Sequence, residues 1–181
     1  MDIMIDLETL GTKYDAVVLS IGAVKFDPYS NAEPSQAFYM KLNVDEQVAL
    51  GREIHPDTVA WWSQQKPEVR EEALSDDNRE SLEAFTKGLN KFLVGCNDIW
   101  AHGPAFDIVI IEDLYRQLGK PIPWQFWQIR DSRTLFNLTI DPRKSMNMGD
   151  AHNALADCIY QAKGVQQVFK QLSIKPKFER K

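Results

Sequence analysis

The residues of this chain best suited to chemistry are acids and a histidine in three short segments. Asp6-Leu7-Glu8-Thr9 comes first. In a strand the side chains at i and i+2 project to one side, so both carboxylates would face one spot. Hard divalent cations take oxygen ligands, and paired carboxylates beside substrate phosphate oxygens suit Mg²⁺. Alone the pair is a weak signal, because 26 of 181 residues are acidic and a solvated strand face would read the same. Its position strengthens it: the acids interrupt an apolar strand where a buried face is otherwise expected. The second segment is Trp100-Ala101-His102-Gly103-Pro104-Ala105-Phe106-Asp107, a strand end, a Gly-Pro turn and an acid at a helix start. Such junctions bind ligands in open α/β sheets, although an acid in a first helical turn is also an ordinary partner for the helix dipole.

The third segment is His152-Asn153-Ala154-Leu155-Ala156-Asp157. Read as continuous helix, its two end side chains lie about 140° apart. Asp157 then points inward from the second turn and His152 reaches around the site. An imidazole in that place could accept a proton near neutral pH. A surface or capping histidine is the bland alternative, and it is the reading given to His55 and His102.

These segments need elements to position them. Residues 3–8 alternate apolar and polar, a strand pattern. Residues 16–26 are rich in β-branched side chains and end in the turn formers Asp27-Pro28-Tyr29-Ser30-Asn31, giving a second strand, and 36–42 gives a third. Pro56 opens a helix through Trp61 and Trp62. Adjacent helical positions diverge by about 100°, so one of these tryptophans should face the core. Asp77 with Glu80 resembles a capping box for a helix to about 93. A short strand over 98–101 precedes a helix over 106–118, stopped by Gly119. Asp131 or Ser132 caps a helix to 138, and a last helix spans about 151–171, with Gly164 inside it. Strands first and helices alternating later predict a mixed α/β sheet covered by helices.

Composition limits the class. Hydrophobic residues make up 44% and charged residues 26%, as in an ordinary soluble domain. The start lacks a basic n-region and a long apolar run, so no signal peptide is expected, and no stretch suits a bilayer. No membrane partner is therefore expected. Cys96 and Cys158 form neither a disulfide framework nor a metal-type cluster, so a cytoplasmic location is the default. The candidate ligands Asp6, Glu8, Asp107 and Asp157 alone contribute −4 to a formal net charge of −5. The acidity thus fits a metal-bridged phosphate site, and it speaks against long, sequence-independent duplex binding. Residues 1–172 read as a single domain and 173–181 as a basic C-terminal tail.

Asp-x-Glu near the start, Phe-Asp in the middle and His-x4-Asp near the end together resemble the DEDD superfamily of 3′–5′ exonucleases. The histidine places the resemblance in the DEDDh subgroup, with proofreading exonucleases, RNase T and oligoribonuclease. The match spans residues 6 to 157. Ser20-Ile21-Gly22-Ala23-Val24 is similar to the second strand of that family. The stretches Glu53-Ile54-His55-Pro56-Asp57-Thr58-Val59-Ala60-Trp61-Trp62 and Arg130-Asp131-Ser132-Arg133-Thr134-Leu135 resemble a smaller bacterial and phage exoribonuclease-like branch.

The resemblance implies a ribonuclease H-like fold, a five-stranded mixed sheet with one antiparallel strand, flanked by helices. It implies two Mg²⁺ or Mn²⁺ ions on Asp6, Glu8, Asp107 and Asp157, one helping to deprotonate water and one stabilising the leaving 3′ oxygen. His152 would take the proton from the attacking water. The substrate would be a single-stranded or 3′-overhanging nucleic acid end and the product a nucleoside 5′-monophosphate, with the choice between RNA and DNA open. Thr9, Leu10 and Gly11 would lie close to the terminal nucleotide. Phe106 would either stack on a base or belong to the core. Many family members carry asparagine where this chain has Gly103, which leaves backbone or His102 contacts to hold the nucleotide there. Related enzymes are often dimers, so a homodimer is compatible with the resemblance. Two other functions stay open on the same fold: a non-catalytic nucleic-acid-binding module and a small-nucleotide phosphohydrolase.

Overall fold

The computed structural model describes residues 1–145 and 152–176. Its organising element is strand β1 (Asp2–Thr9). Ile3, Ile5 and Leu7 enter one core and Met4 a second, with Asp6 and Glu8 continuing the Met4 face toward the strand's end. Burying an aliphatic side chain of this size contributes roughly 1.5–3 kcal/mol. Three of them on one face are enough to hold the strand in place while its other face carries two acids.

Strand β2 (Val18–Phe26) pairs antiparallel with β1 and with β3 (Ser35–Leu42). There follow α1 (Val44–Ala49), α2 (Pro56–Ser63), α3 (Pro67–Leu74), the short β4 (Arg79–Glu80) and α4 (Leu82–Phe92). The second half holds β5 (Ile99–Ala101), α5 (Asp107–Gln117), β6 (Ile129–Asp131), α6 (Ser132–Phe136) and α7 (Ala154–Gln171). The sheet order is β4-β3-β2-β1-β5-β6, and β2 runs against all the others. This is the mixed sheet with one antiparallel strand implied by the resemblance. The sixth strand, beyond the five expected, is the two-residue β4.

Helices cover both faces. Phe85 and Leu89 of α4 and Ile111 and Leu114 of α5 pack on the Ile3 face. Cys158, Ala162, Val165 and Phe169 of α7 pack on the Met4 face, with Phe136 of α6. Gly164 is explained by this packing: a Cβ there would lie 2.8 Å from the Phe136 ring. A third cluster, Leu10, Val17, Leu19, Trp62 and Ala73, fastens α2 and α3 to the ends of β1 and β2. Among the described residues no helix is long and apolar enough to cross a membrane.

Three expectations change. The helix placed over 77–93 begins only at Leu82, because Asn78 adopts a left-handed φ of 58° and ends any helix there. Ser81 is the cap, accepting the Ala84 N–H at 3.1 Å. Arg79 instead joins the sheet edge, its guanidinium donating to the carbonyls of Leu19, Leu42 and Ala73. Secondly, α1 and α3 are short helices that no sequence pattern marked. Thirdly, α7 begins at Ala154 behind the cap residue Asn153, so His152 stands outside it. Residue 151, the expected start, lies outside the described residues, as do 177–181 of the tail.

Candidate active site

Gly22 lies opposite Asp6 in the β1–β2 register. A Cβ on Gly22 would lie 2.4 Å from the Ala154 backbone. Only glycine lets the first turn of α7 rest on the sheet at this point. The Cys158 thiol donates to the Gly22 carbonyl at 3.2 Å and fixes the same approach. Asn153 caps the helix by accepting the Ala156 N–H at 3.1 Å. With that turn seated, carboxylate oxygens of Asp6, Glu8 and Asp157 come within 4.8 Å of one another.

Asp107 arrives from the neighbouring junction, as the first residue of α5 after β5 and the Gly-Pro turn. It is 4% exposed, and its Oδ1 accepts the Leu7 N–H at 3.1 Å. That bond ties the start of α5 to β1. Asp107 is not among the three acids whose oxygens meet, yet its charge reaches Asp6 and Glu8.

The electrostatics are those of crowded, desolvated carboxylates. Burial, then the charges of Asp107, Glu8 and Asp157, hold the Asp6 carboxyl well above the ordinary range, against a hydrogen bond from Gln161. Glu8, 9% exposed, is pushed up to about 8 by burial and by the charges of Asp157 and Asp107. Burial pushes Asp107 up to about 7, although backbone hydrogen bonds and the Arg133 guanidinium pull it down. Burial raises Asp157 too, with the His152 N–H working against it. Acids so placed fit a divalent cation: they offer hard oxygen donors, and their mutual repulsion is relieved by positive charge.

Gln161, one turn after Asp157 on α7, donates from Nε2 to Asp6 Oδ1 at 2.9 Å. Its own Oε1 is buried without a hydrogen-bond partner among the described residues. Sequence reading passed over this residue, and the signal available was its i+4 spacing from Asp157, which puts both on one helix face.

His152 takes a left-handed φ of 66° and donates its backbone N–H to Asp157 Oδ2 at 3.1 Å. This corrects the reading of 152–157 as one helix. Its ring stands edge-on to Trp61, with centroids 5.0 Å apart and planes at 89°. The tryptophans divide as their spacing requires: Trp62 is 1% exposed and donates to the Thr9 carbonyl, whereas Trp61 is 40% exposed. Thr9, Leu10 and Gly11 form a tightly held segment after β1. Thr9 Oγ1 donates to the Gly11 carbonyl at 2.6 Å and the His55 N–H to the Leu10 carbonyl at 2.8 Å. Phe106 packs part of its ring against the core beneath β1. His102 hydrogen-bonds Ser132 through Nδ1 at 3.1 Å and lies beside the Phe136 ring.

The sequence model of the 3′–5′ exoribonuclease Rv2179c-like domain matches residues 1–169. The chain belongs to this family. It is thereby a 3′–5′ exonuclease. A curated relative of the Rv2179c-like chain, the exodeoxyribonuclease of Enterobacteria phage T4, is 28% identical, the alignment covering 87% of this chain and 84% of the phage protein. Solved structures share the fold at lower identity. Exonuclease X in complex with 5′ overhanging duplex DNA aligns with a TM-score of 0.59 and 17% identity, over 97% of this chain and 95% of that one. The nuclease domain of 3′hExo, a DEDDh family member bound to rAMP, aligns with a TM-score of 0.62 and 12% identity, over 93% and 91%.

Proposed function

We propose that this chain hydrolyses single-stranded or 3′-overhanging RNA, DNA or both from the 3′ end, releasing nucleoside 5′-monophosphates. The observation that carries the reading is the meeting of Asp6, Glu8 and Asp157 oxygens within 4.8 Å, with His152 joined to Asp157 at the same spot. Asp6, Glu8, Asp107 and Asp157 would hold two Mg²⁺ or Mn²⁺ ions, which supply positive charge to the attacking water and the leaving 3′ oxygen. The chain's own residues do the rest. The His152 ring accepts the water's proton, Trp61 limits how that ring can turn, and Gln161 fixes the orientation of Asp6. The wall from Thr9 to Gly11 bounds the terminal nucleotide, and the free part of the Phe106 ring offers a stacking face. The family description names an exoribonuclease and the phage relative an exodeoxyribonuclease, so both sugars belong in the test.

That test is digestion of matched 5′-labelled RNA and DNA single strands with Mg²⁺, with Mn²⁺ and with EDTA. The expected result is a ladder shortening from the 3′ end with either metal and none with EDTA. Cleavage of a mononucleotide ester but of neither strand would replace the proposal with a small-nucleotide phosphohydrolase.

The raised acids also set a pH dependence in the metal-free protein. Glu8 has an ordinary value of 4.5 and a folded value of about 8, so the folded chain binds this proton more tightly than the unfolded chain. Stability is therefore undiminished below about 4.5, and it falls as pH rises through about 8. Asp107 adds a fall of the same sign that ends near 7. Cations compete with these protons, so the rise in Tm caused by Mg²⁺ should grow across the same window. Calorimetry with and without Mg²⁺ checks this, and a metal-independent Tm at every pH would remove the metal assignment.

A further inference from the structure

We infer that Arg133 binds a backbone phosphate of the substrate strand at the mouth of the carboxylate cluster; this rests on the function proposed above. The side chain is exposed and held in a defined place. Its Nη2 donates to the His102 carbonyl at 2.9 Å. Its guanidinium lies over Gly103, where a Cβ would come 3.2 Å from Nε and 3.3 Å from Nη2. Gly103 itself has a φ of 102°, a conformation that L side chains rarely adopt. Two features of the second segment, the absent side chain and the unusual turn, thus make room for this guanidinium.

The surrounding residues fix where α6 begins. Buried Ser132 donates to the Ala101 carbonyl at 3.2 Å and meets His102 Nδ1 at 3.1 Å. Asp131 caps α6 by accepting the Arg133 N–H at 3.0 Å. Arg133 therefore projects from a short helix stitched to the loop that delivers Asp107. Its charge is felt there, offsetting part of the burial that raises the Asp107 pKa. Among the described residues one side-chain hydrogen bond engages Nη2 of the exposed Arg133, and a guanidinium fork matches phosphate oxygens.

The opposite flank of the cluster cannot serve the same purpose. In the sheet, Glu8 faces Ser20 and Ser20 faces Lys41, so Lys41 stands two strands away on the same face, about 10 Å. There a cavity of about 770 Å³ opens, lined by Glu68, Glu71, Glu72, Asp77 and Glu80. Its one lysine, Lys41, is engaged with Ser75. A polyanion placed on that side meets five acids, so the strand leaves the cluster on the Arg133 side.

The experiment compares wild type, Arg133→Gln and Arg133→Lys in the single-strand digestion across a salt series. It also measures anisotropy binding of a labelled strand to Asp6→Asn chains with and without Arg133→Gln. Loss of a charge-assisted contact to one phosphate should raise KM about tenfold to a hundredfold, with kcat changed far less. The slope of log kcat/KM against log salt should fall by about one, and Arg133→Lys should restore the slope but only part of the affinity. A single neutral methylphosphonate linkage, moved along the strand, should find one position that weakens wild type and leaves Arg133→Gln unaffected. Unchanged KM and salt slope in folded Arg133→Gln would overturn the inference. So would a loss confined to kcat, which would mean that Arg133 acts through Asp107. If wild type cleaves nothing, the proposed function fails, and binding in the Asp6→Asn pair still decides the role of Arg133.

Discussion

Asp6→Asn is expected to lower strand cleavage by about a thousandfold or more while raising the Tm of the metal-free protein. Asparagine keeps the shape of the side chain and an oxygen that can still accept the Gln161 amide, now at 2.9 Å from Asp6 Oδ1. It removes the carboxyl that burial and the charges of Asp107, Glu8 and Asp157 act on together. In the metal-free chain that carboxyl is a liability, and relief of about 1 kcal/mol corresponds to a rise of roughly 2–4 °C in a domain of this size. With Mg²⁺ the order should reverse. The wild-type cluster should gain from cation binding, whereas the variant has lost a hard oxygen anion and should gain less. For the chemistry, metal stabilisation of transition-state charge is a matter of several kcal/mol, and about 4 kcal/mol is a thousandfold in rate. Paired calorimetry and digestion with Mg²⁺ and with EDTA therefore read one substitution in two ways. A variant that cleaves at near wild-type rate would remove Asp6 from the metal site. A variant that melts earlier with and without metal would show that its carboxylate serves the fold.

What could be read from sequence follows the range of the interactions involved. The alternation of Ile3, Ile5 and Leu7 against Met4, Asp6 and Glu8 is local, and it named both faces of β1 correctly. The stop of α5 at Gly119, with φ 64°, and the start of α2 at Pro56 are also local signals. The motif spacing found acids that the fold brings together, because strand-plus-two and loop-plus-helix placements tolerate little variation. Long-range effects were hidden. Asn78 and Arg79 sit in a segment whose residues suit a helix cap, and only the sheet edge and three carbonyls waiting for a guanidinium reveal a strand. Gly22 appears in a recognisable strand, but the reason for glycine is the backbone of Ala154 far along the chain. Gln161 lies in no quoted motif and Arg133 in one that named no role for it, and each becomes meaningful through a partner in another segment: Asp6 for the first, and Gly103 with the His102 carbonyl for the second.

His152 meets the site through both its backbone and its ring, and it supplies the second large expected effect. Its backbone N–H donates to Asp157 at 3.1 Å, while its ring is held edge-on by Trp61. An alanine substitution would confuse the two roles, because φ of 66° is costly for alanine. Asparagine is among the few residues that adopt this conformation readily, so His152→Asn keeps the turn and the bond to Asp157 while deleting the imidazole. Loss of a general base costs roughly 10²–10⁴-fold in rate, and that fall is expected in kcat with little change in KM. Added imidazole should restore part of the rate, since the space beside Trp61 vacated by the ring can admit it. Trp61→Leu, which frees the ring without removing it, should cost far less than His152→Asn, and its residual rate should not respond to imidazole. If His152→Asn instead cleaves at near wild-type rate, the residue matters only through its backbone. The proton of the attacking water must then leave by another route. The arrangement favours the ring, because orienting Asp157 requires only a left-handed turn that asparagine would satisfy, and no tryptophan is needed to hold a side chain that does nothing.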